Sequence, residues 1–270
     1  FETSIFDMQM GARGAITEDI DWDVGAAYGK SENIQTQTGY VLTSKLRDAV
    51  LATNTTTCLS GNSGCVPVNV FGPEGSITAA MQPYLLSPST VTIESSLRQF
   101  HATVTGKIKW TSPWANDAAG FAVGLEDRNY GSSQLSDSLS KIPGELGGAG
   151  GAAPTTIGGY EVSEALTEMS VPLITGKPGV ESLIVDVGAR YSKYKVDAFN
   201  NPSNNAATWK AGLVWDAGAG FKIRSNYAKA VRAPNINELF SPVSTGLTSL
   251  TTDPCSGAAP VGNANLRAVC

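Results

Sequence analysis

Four groups of residues are of types that could do chemistry, and their spacing decides what each can do. His101, the only histidine in the 270-residue chain, is flanked by Phe100 and Ala102. It has no cysteine or serine nucleophile close in sequence and reads as a polar-face strand residue rather than a general base. Glu164 and Glu168 are four residues apart. On a strand they share a face at roughly 13 Å, too far for an acid dyad that shares one proton. The glycine-rich run from Gly147 to Gly151 is not followed by Lys-Ser or Lys-Thr and does not link a strand to a helix, so it is no phosphate loop. The four cysteines fall in two local pairs, Cys58 with Cys65 and Cys255 with Cys270, each in a loop rich in Ser, Gly, Asn and Thr. Neither pair has close zinc-ligand spacing and His101 is far from both, so an oxidising compartment is the simple reading. No catalytic residue, metal or cofactor is expected, and the chain does not read as an enzyme.

These residues must be positioned by the elements around them. The chain is 41% hydrophobic and 16% charged, with a net charge of -5. It has no Lys/Arg cluster of the kind that neutralises phosphates, which argues against nucleic-acid binding. No run of eighteen apolar residues exists, so no transmembrane helix is expected. Strand-like alternation of apolar and polar residues is the dominant pattern. It marks eight segments: Ile5 to Ala15, Ile20 to Glu32, Leu97 to Trp110, a fourth around Phe121 to Arg128, Tyr160 to Ile174, a sixth around Leu183 to Ser192, Thr208 to Trp215, and one beginning at Phe221. Tight turns alternate with long connections, of which the longest runs from about Asn33 to Glu94 and the next from Gly131 to Gly158. The first should hold a short helix capped by Ser76, with Ile77, Ala80, Met81, Tyr84 and Leu85 on one face and shortened or kinked by Pro83. The second, low in complexity, reads as a flexible loop.

Short turns on one side and long loops on the other are how an up-and-down membrane barrel is written. The aromatics agree. Trp22, Trp110, Trp114 and Trp215 lie toward the short turns, and Tyr28, Tyr130, Tyr160, Tyr191 and Tyr194 toward the long loops, with Trp209 as an exception. Two membrane interfaces favour such amphipathic rings. The fold class expected is therefore all-β: an antiparallel up-and-down transmembrane β-barrel segment of about eight strands. Lys222, Arg224, Asn226, Lys210, Arg190, Glu164 and Glu168 would then face the lumen. A secreted or surface all-β binding or adhesion module is the alternative, and it would turn the apolar faces into a closed core.

The segment Tyr227-Ala-Lys-Ala-Val-Arg-Ala-Pro-Asn-Ile-Asn-Glu-Leu-Phe240 closely resembles TonB-dependent outer-membrane receptors where a late barrel strand leaves the bilayer. Cys65-Val-Pro-Val-Asn-Val-Phe-Gly, Glu164-Ala-Leu-Thr-Glu-Met-Ser-Val-Pro-Leu, Trp209-Lys-Ala-Gly-Leu-Val-Trp and the stretch from Asp253-Pro-Cys to Asn265-Leu-Arg-Ala-Val-Cys270 are similar to a large subgroup of the same family. The resemblance implies a barrel of about 22 strands closed by an N-terminal plug. It also implies a Gram-negative outer-membrane location and import of a scarce nutrient with energy delivered through TonB. Residues 1–270 would be part of the barrel domain, without plug, TonB box or closing strand, and unable to import or form a stable pore alone. Partners implied are outer-membrane lipid, the plug of the same full-length chain, TonB, and a small-molecule or oligomeric nutrient whose identity is not readable. In the family's orientation the short turns are periplasmic and the long loops extracellular, so disulfides Cys58–Cys65 and Cys255–Cys270 are expected. Within the motif Arg232, Ala233, Pro234, Asn235, Glu238, Leu239 and Phe240 are read as structural, with Arg232, Asn235 and Glu238 forming a local polar clasp.

Overall fold

The computed structural model of the chain describes residues 1–198, 200–243, 251 and 253–269. Eight long strands carry the alternation found in the sequence: β1 (Glu2–Thr17), β2 (Ile20–Leu42), β3 (Leu86–Thr111), β4 (Ala118–Ser136), β6 (Thr156–Lys177), β7 (Val180–Val196), β8 (Ser203–Gly218) and β9 (Phe221–Lys229). A two-residue strand, β5 (Leu146–Gly147), pairs with β2 at Val41 and Leu42. The long strands pair in chain order as an antiparallel meander with β1 and β9 at its edges, and the sheet is not closed. The β8–β9 turn is tight because Gly218 and Gly220 take φ of 82° and 83°, a region closed to most side chains.

The strands are longer than their alternation predicts, by a few residues at the short turns and by most at the long-loop end. β2 continues through Thr36, Gln37, Thr38 and Gly39 to Leu42, and β3 begins at Leu86 rather than near Leu97. The expected loop over 131–158 likewise shrinks, because β4 runs to Ser136, β5 pairs and β6 starts at Thr156. A ladder needs only backbone donors and acceptors. Where neither face must be apolar, pairing persists after the side-chain pattern has stopped.

The chain divides into two units: Phe1–Thr36, Thr90–Asp137 and Pro154–Pro242, which hold most of the sheet, and Gln37–Ser89, Ser138–Ala153 and Val243–Cys270. The second has a small apolar core of Ala49, Val68 and Leu85, with Leu46, Cys65, Met81, Tyr84 and Leu86 against it. It contains α1 (Thr43–Val50), which the alternation and capping signals did not indicate, and α2 (Gln82–Leu85). The helix expected after Ser76 is corrected by α2. Pro83 sits in its first turn, where a missing N–H costs nothing, so the helix starts there instead of being kinked there. Ser76 caps no helix, and its hydroxyl donates to the Pro73 carbonyl at 2.5 Å. The Cys58–Cys65 disulfide is formed. The pairing of Cys255 with Cys270 involves a residue outside those described. A third short helix, α3 (Ile236–Phe240), follows β9 in the first unit, and α4 (Ala259–Gly262) and α5 (Ala264–Val269) lie near the end of the chain in the second.

Candidate functional site

Register decides which side chains meet. On one face of the sheet it aligns Glu126 and Arg128 of β4 with Glu164 and Val162 of β6, and then Ser192 and Arg190 of β7 beside Glu164 and Leu166. Glu126 and Glu164 are directly opposed, an arrangement that is destabilising unless a cation lies between them. Arg128 supplies it. Its Nη2 donates to Glu164, and its Nε lies 3.6 Å from Glu126, a charge contact too long for a hydrogen bond. Arg190 Nη1 approaches the same Glu164 oxygen at 3.3 Å, Ser192 donates to the other oxygen, and Gln99 donates to Glu126 at 2.8 Å. The Glu164 side chain is only 2% exposed, so the carboxylate is both buried and fully partnered.

Further along the ladder, Lys210 reaches Glu168 at 2.8 Å across Gly188, which is aligned with both. A Cβ at Gly188 would come within 2.8 Å of Lys210 Cε, so the lysine stem runs through the space above this glycine as the pair spans three strands. Lys222 pairs with the opposed Asp216 at 3.0 Å. Of the seven residues expected on the lumenal side, the structure puts Glu164 with Arg190 and Glu168 with Lys210, sets Lys222 apart, and places Arg224 and Asn226 in a hollow of about 630 Å³ on the same face. His101 belongs to this face too. Its Nε2 is 2.8 Å from Asp23, with the imidazole lying over Gly25.

The opposite face is apolar and bare. Met10 is 64% exposed, Leu125 62%, Leu213 41% and Tyr227 71%. In a soluble sheet these would form the core and the charges would be outside. Here the relation is inverted.

The end of β9 leads into the family-like motif. Arg232 donates two hydrogen bonds to Glu238, at 2.8 and 3.0 Å. Glu238 also accepts from the Asn235 backbone N–H at 2.8 Å, while the Asn235 side chain accepts from Glu238 N–H at 2.8 Å, closing a capping box on α3. The guanidinium, followed by the Asn235 amide, holds the Glu238 carboxyl below the usual glutamate range, and Glu238 holds Arg232 above its own. A five-residue helix is not stable by itself, so the box and the fork define it. At its far end Phe240 lies on Gly158 of β6, where any Cβ would enter the ring. Nearby, Tyr130 and Tyr160 are opposed in register and stacked, with centroids 4.8 Å apart.

The sequence alone did not single out the role of Arg128, the Ser192 hydroxyl, the tyrosine stack or the Gly158 seat for Phe240. The signals were present as alternating parity, but only register shows which of several acids and cations lie opposite one another.

A family model described as TonB dependent receptor-like, beta-barrel matches residues 5–269. The chain belongs to that family. Its members are transporters of the Gram-negative outer membrane, not enzymes. No curated protein and no solved structure gives a match.

Proposed function

We propose that this chain forms part of the barrel wall of an outer-membrane active transporter that imports a scarce nutrient with energy delivered through TonB. Its apolar face meets lipid, its charged face meets the lumen and the plug of the full-length receptor, its short turns are periplasmic and its long loops extracellular. The observation that carries this reading is the inversion of the two faces: the apolar side chains are bare and the carboxylate Glu164 is buried.

The edge of the apolar band adds support. Toward the long loops the bare face ends at Phe100, Leu125, Ala165, Tyr191, Trp209 and Tyr227, followed by Arg98, Asp127, Ser163 and Lys193 on β3, β4, β6 and β7, and by Lys229 on β9. Relative to the hydrogen-bonded register this edge steps by two residues from β3 to β4, none to β6, none to β7, two to β8 and two to β9. At about 3.3 Å per residue and about 4.8 Å between strands, that is a slope of roughly 40°. Strands of outer-membrane barrels tilt by about 35–45° against a level lipid boundary. The unpaired ladders of β1 and β9 would cost several kcal/mol per group in lipid, so their neighbours come from the rest of the receptor.

The test uses the complete receptor in bilayers with single cysteines at Leu213, Ile223, Lys210 and Arg224. Lipid-borne quenchers should reach probes at the first two and not the last two. A water-soluble maleimide that labels Leu213→Cys and Ile223→Cys in the folded protein would overturn the reading.

A further inference from the structure

On the charged face, at the long-loop end of the sheet, a cleft of about 490 Å³ opens between the strands and α3. One wall is the stacked Tyr130–Tyr160 pair, and another is α3, presenting Asn235, Ile236 and Asn237. Asp7 and the hydroxyl-bearing Ser31 and Ser95 line the sheet side. The Asp7 carboxylate lies beside Gly29, with which it is aligned across β1 and β2. Among the described residues, the side chains of Asp7, Ser31, Ser95 and Asn237 have no protein partner, so their donors and acceptors are free for a ligand. One cation is among the lining residues, Lys30, and its ammonium is already held by Glu94 at 2.8 Å. Arg128, beside the Tyr130 ring, is neutralised by Glu164 and Glu126.

We propose that this cleft is a binding site for a neutral, polyhydroxylated ligand, an oligosaccharide; the proposal deepens the import reading and rests on it for the passage of the bound ligand across the membrane. Three features lead there. A pyranose ring has an apolar C–H face that suits a flat aromatic wall. Its edge carries hydroxyls, each donor and acceptor, which match an ionised carboxylate, an amide and serine hydroxyls at hydrogen-bond range. An anionic ligand such as a ferric catecholate chelate meets an uncompensated carboxylate and no free cation, and like charge in a specific site acts as rejection. The cleft's size is in the range of small-ligand sites, and α3 gives it a side that the clasp of Arg232 and Glu238 holds in place.

The experiment uses the complete receptor in detergent, titrated against an array of neutral oligosaccharides, a ferric catecholate chelate and calcium chloride. A neutral oligosaccharide should bind. Asp7→Asn, which is isosteric, and Tyr160→Ala should each weaken it at least about tenfold, as loss of a charged hydrogen-bond partner or an aromatic wall does. Tyr160→Phe should keep most of the affinity, and all variants should migrate as folded barrels before heating. Silence across the array, an affinity unchanged by Asp7→Asn, or binding by the chelate or calcium alone would overturn the proposal. Uptake separates the two readings. Oligosaccharide that binds but does not accumulate on energisation refutes import and leaves the cleft. Energised accumulation of the chelate, insensitive to Asp7→Asn, refutes the cleft and leaves import.

Discussion

Replacing Arg128 by leucine in the complete receptor should be the most damaging single change on the charged face. The side chain is 23% exposed and lies between two carboxylates that register makes neighbours, Glu164 at 2% exposure and Glu126 at 17%. Removing one member of a buried ion pair costs about 3–5 kcal/mol, because a charge is left without compensation. Arg190 still reaches Glu164 at 3.3 Å and Ser192 still donates to it, so the lower end, about 3 kcal/mol, applies. Glu164→Gln should cost less, about 1–2 kcal/mol, since the amide keeps an acceptor for Ser192 and Arg128 keeps Glu126. The double variant is the informative one. With Glu164 neutral, the missing cation no longer strands two opposed acids, and the pair should be at least about 1 kcal/mol milder than the two single changes added. Denaturant titration of the folded receptor in lipid, read by tryptophan fluorescence, gives the three values. If Arg128→Leu lies within about 0.5 kcal/mol of the parent, or if the two changes add, the network does not neutralise the opposed carboxylates.

The clasp around α3 should be lost with acid and not with base: Glu238 is held below its ordinary value, so the stabilisation is present above the ordinary glutamate range and disappears as pH falls through the depressed one. Hydrogen-exchange protection of the Leu239 and Ser241 amides, which bond to the Asn235 and Asn237 carbonyls, should be lost in that acid window, and Glu238→Gln should lose it at neutral pH. Gly158→Leu should lower the same amide protection at neutral pH, because the new side chain occupies the seat of the Phe240 ring while β6 keeps its pairing. Reducing Cys58–Cys65, or Cys58→Ser, removes a short ring worth about 2.5 kcal/mol on the chain-entropy model. Limited proteolysis should then cut within residues 43–85, and the sheet's heat-modifiable migration should not change.

The eight long strands, the two faces of each and the alternation of short turns with long connections could all be read from the sequence, because a strand's side chains alternate with a period of two whatever they pack against, whereas the two-residue β5 is too short to alternate. The motif's spacing also carried its own structure. Arg232, Asn235 and Glu238 are so close in sequence that a fork and a capping box are local events, and a local event needs no knowledge of the rest of the fold.

Where strands end was not legible. Thr36 to Gly39 and Leu86 to Ser96 extend β2 and β3 without a sustained apolar–polar alternation, and backbone hydrogen bonds leave no mark on side-chain pattern. The helix around Pro83 was misplaced for a related reason: helical spacing extended back to Ile77, but the chain there is held by turns and by the core of Ala49, Val68 and Leu85, which are distant in sequence. Which acid meets which base was equally out of reach. Glu164 could have faced any of several cations. Register across β4, β6 and β7, a property of the assembled sheet, selects Arg128 and Arg190, buries the carboxylate between them and leaves the apolar face bare.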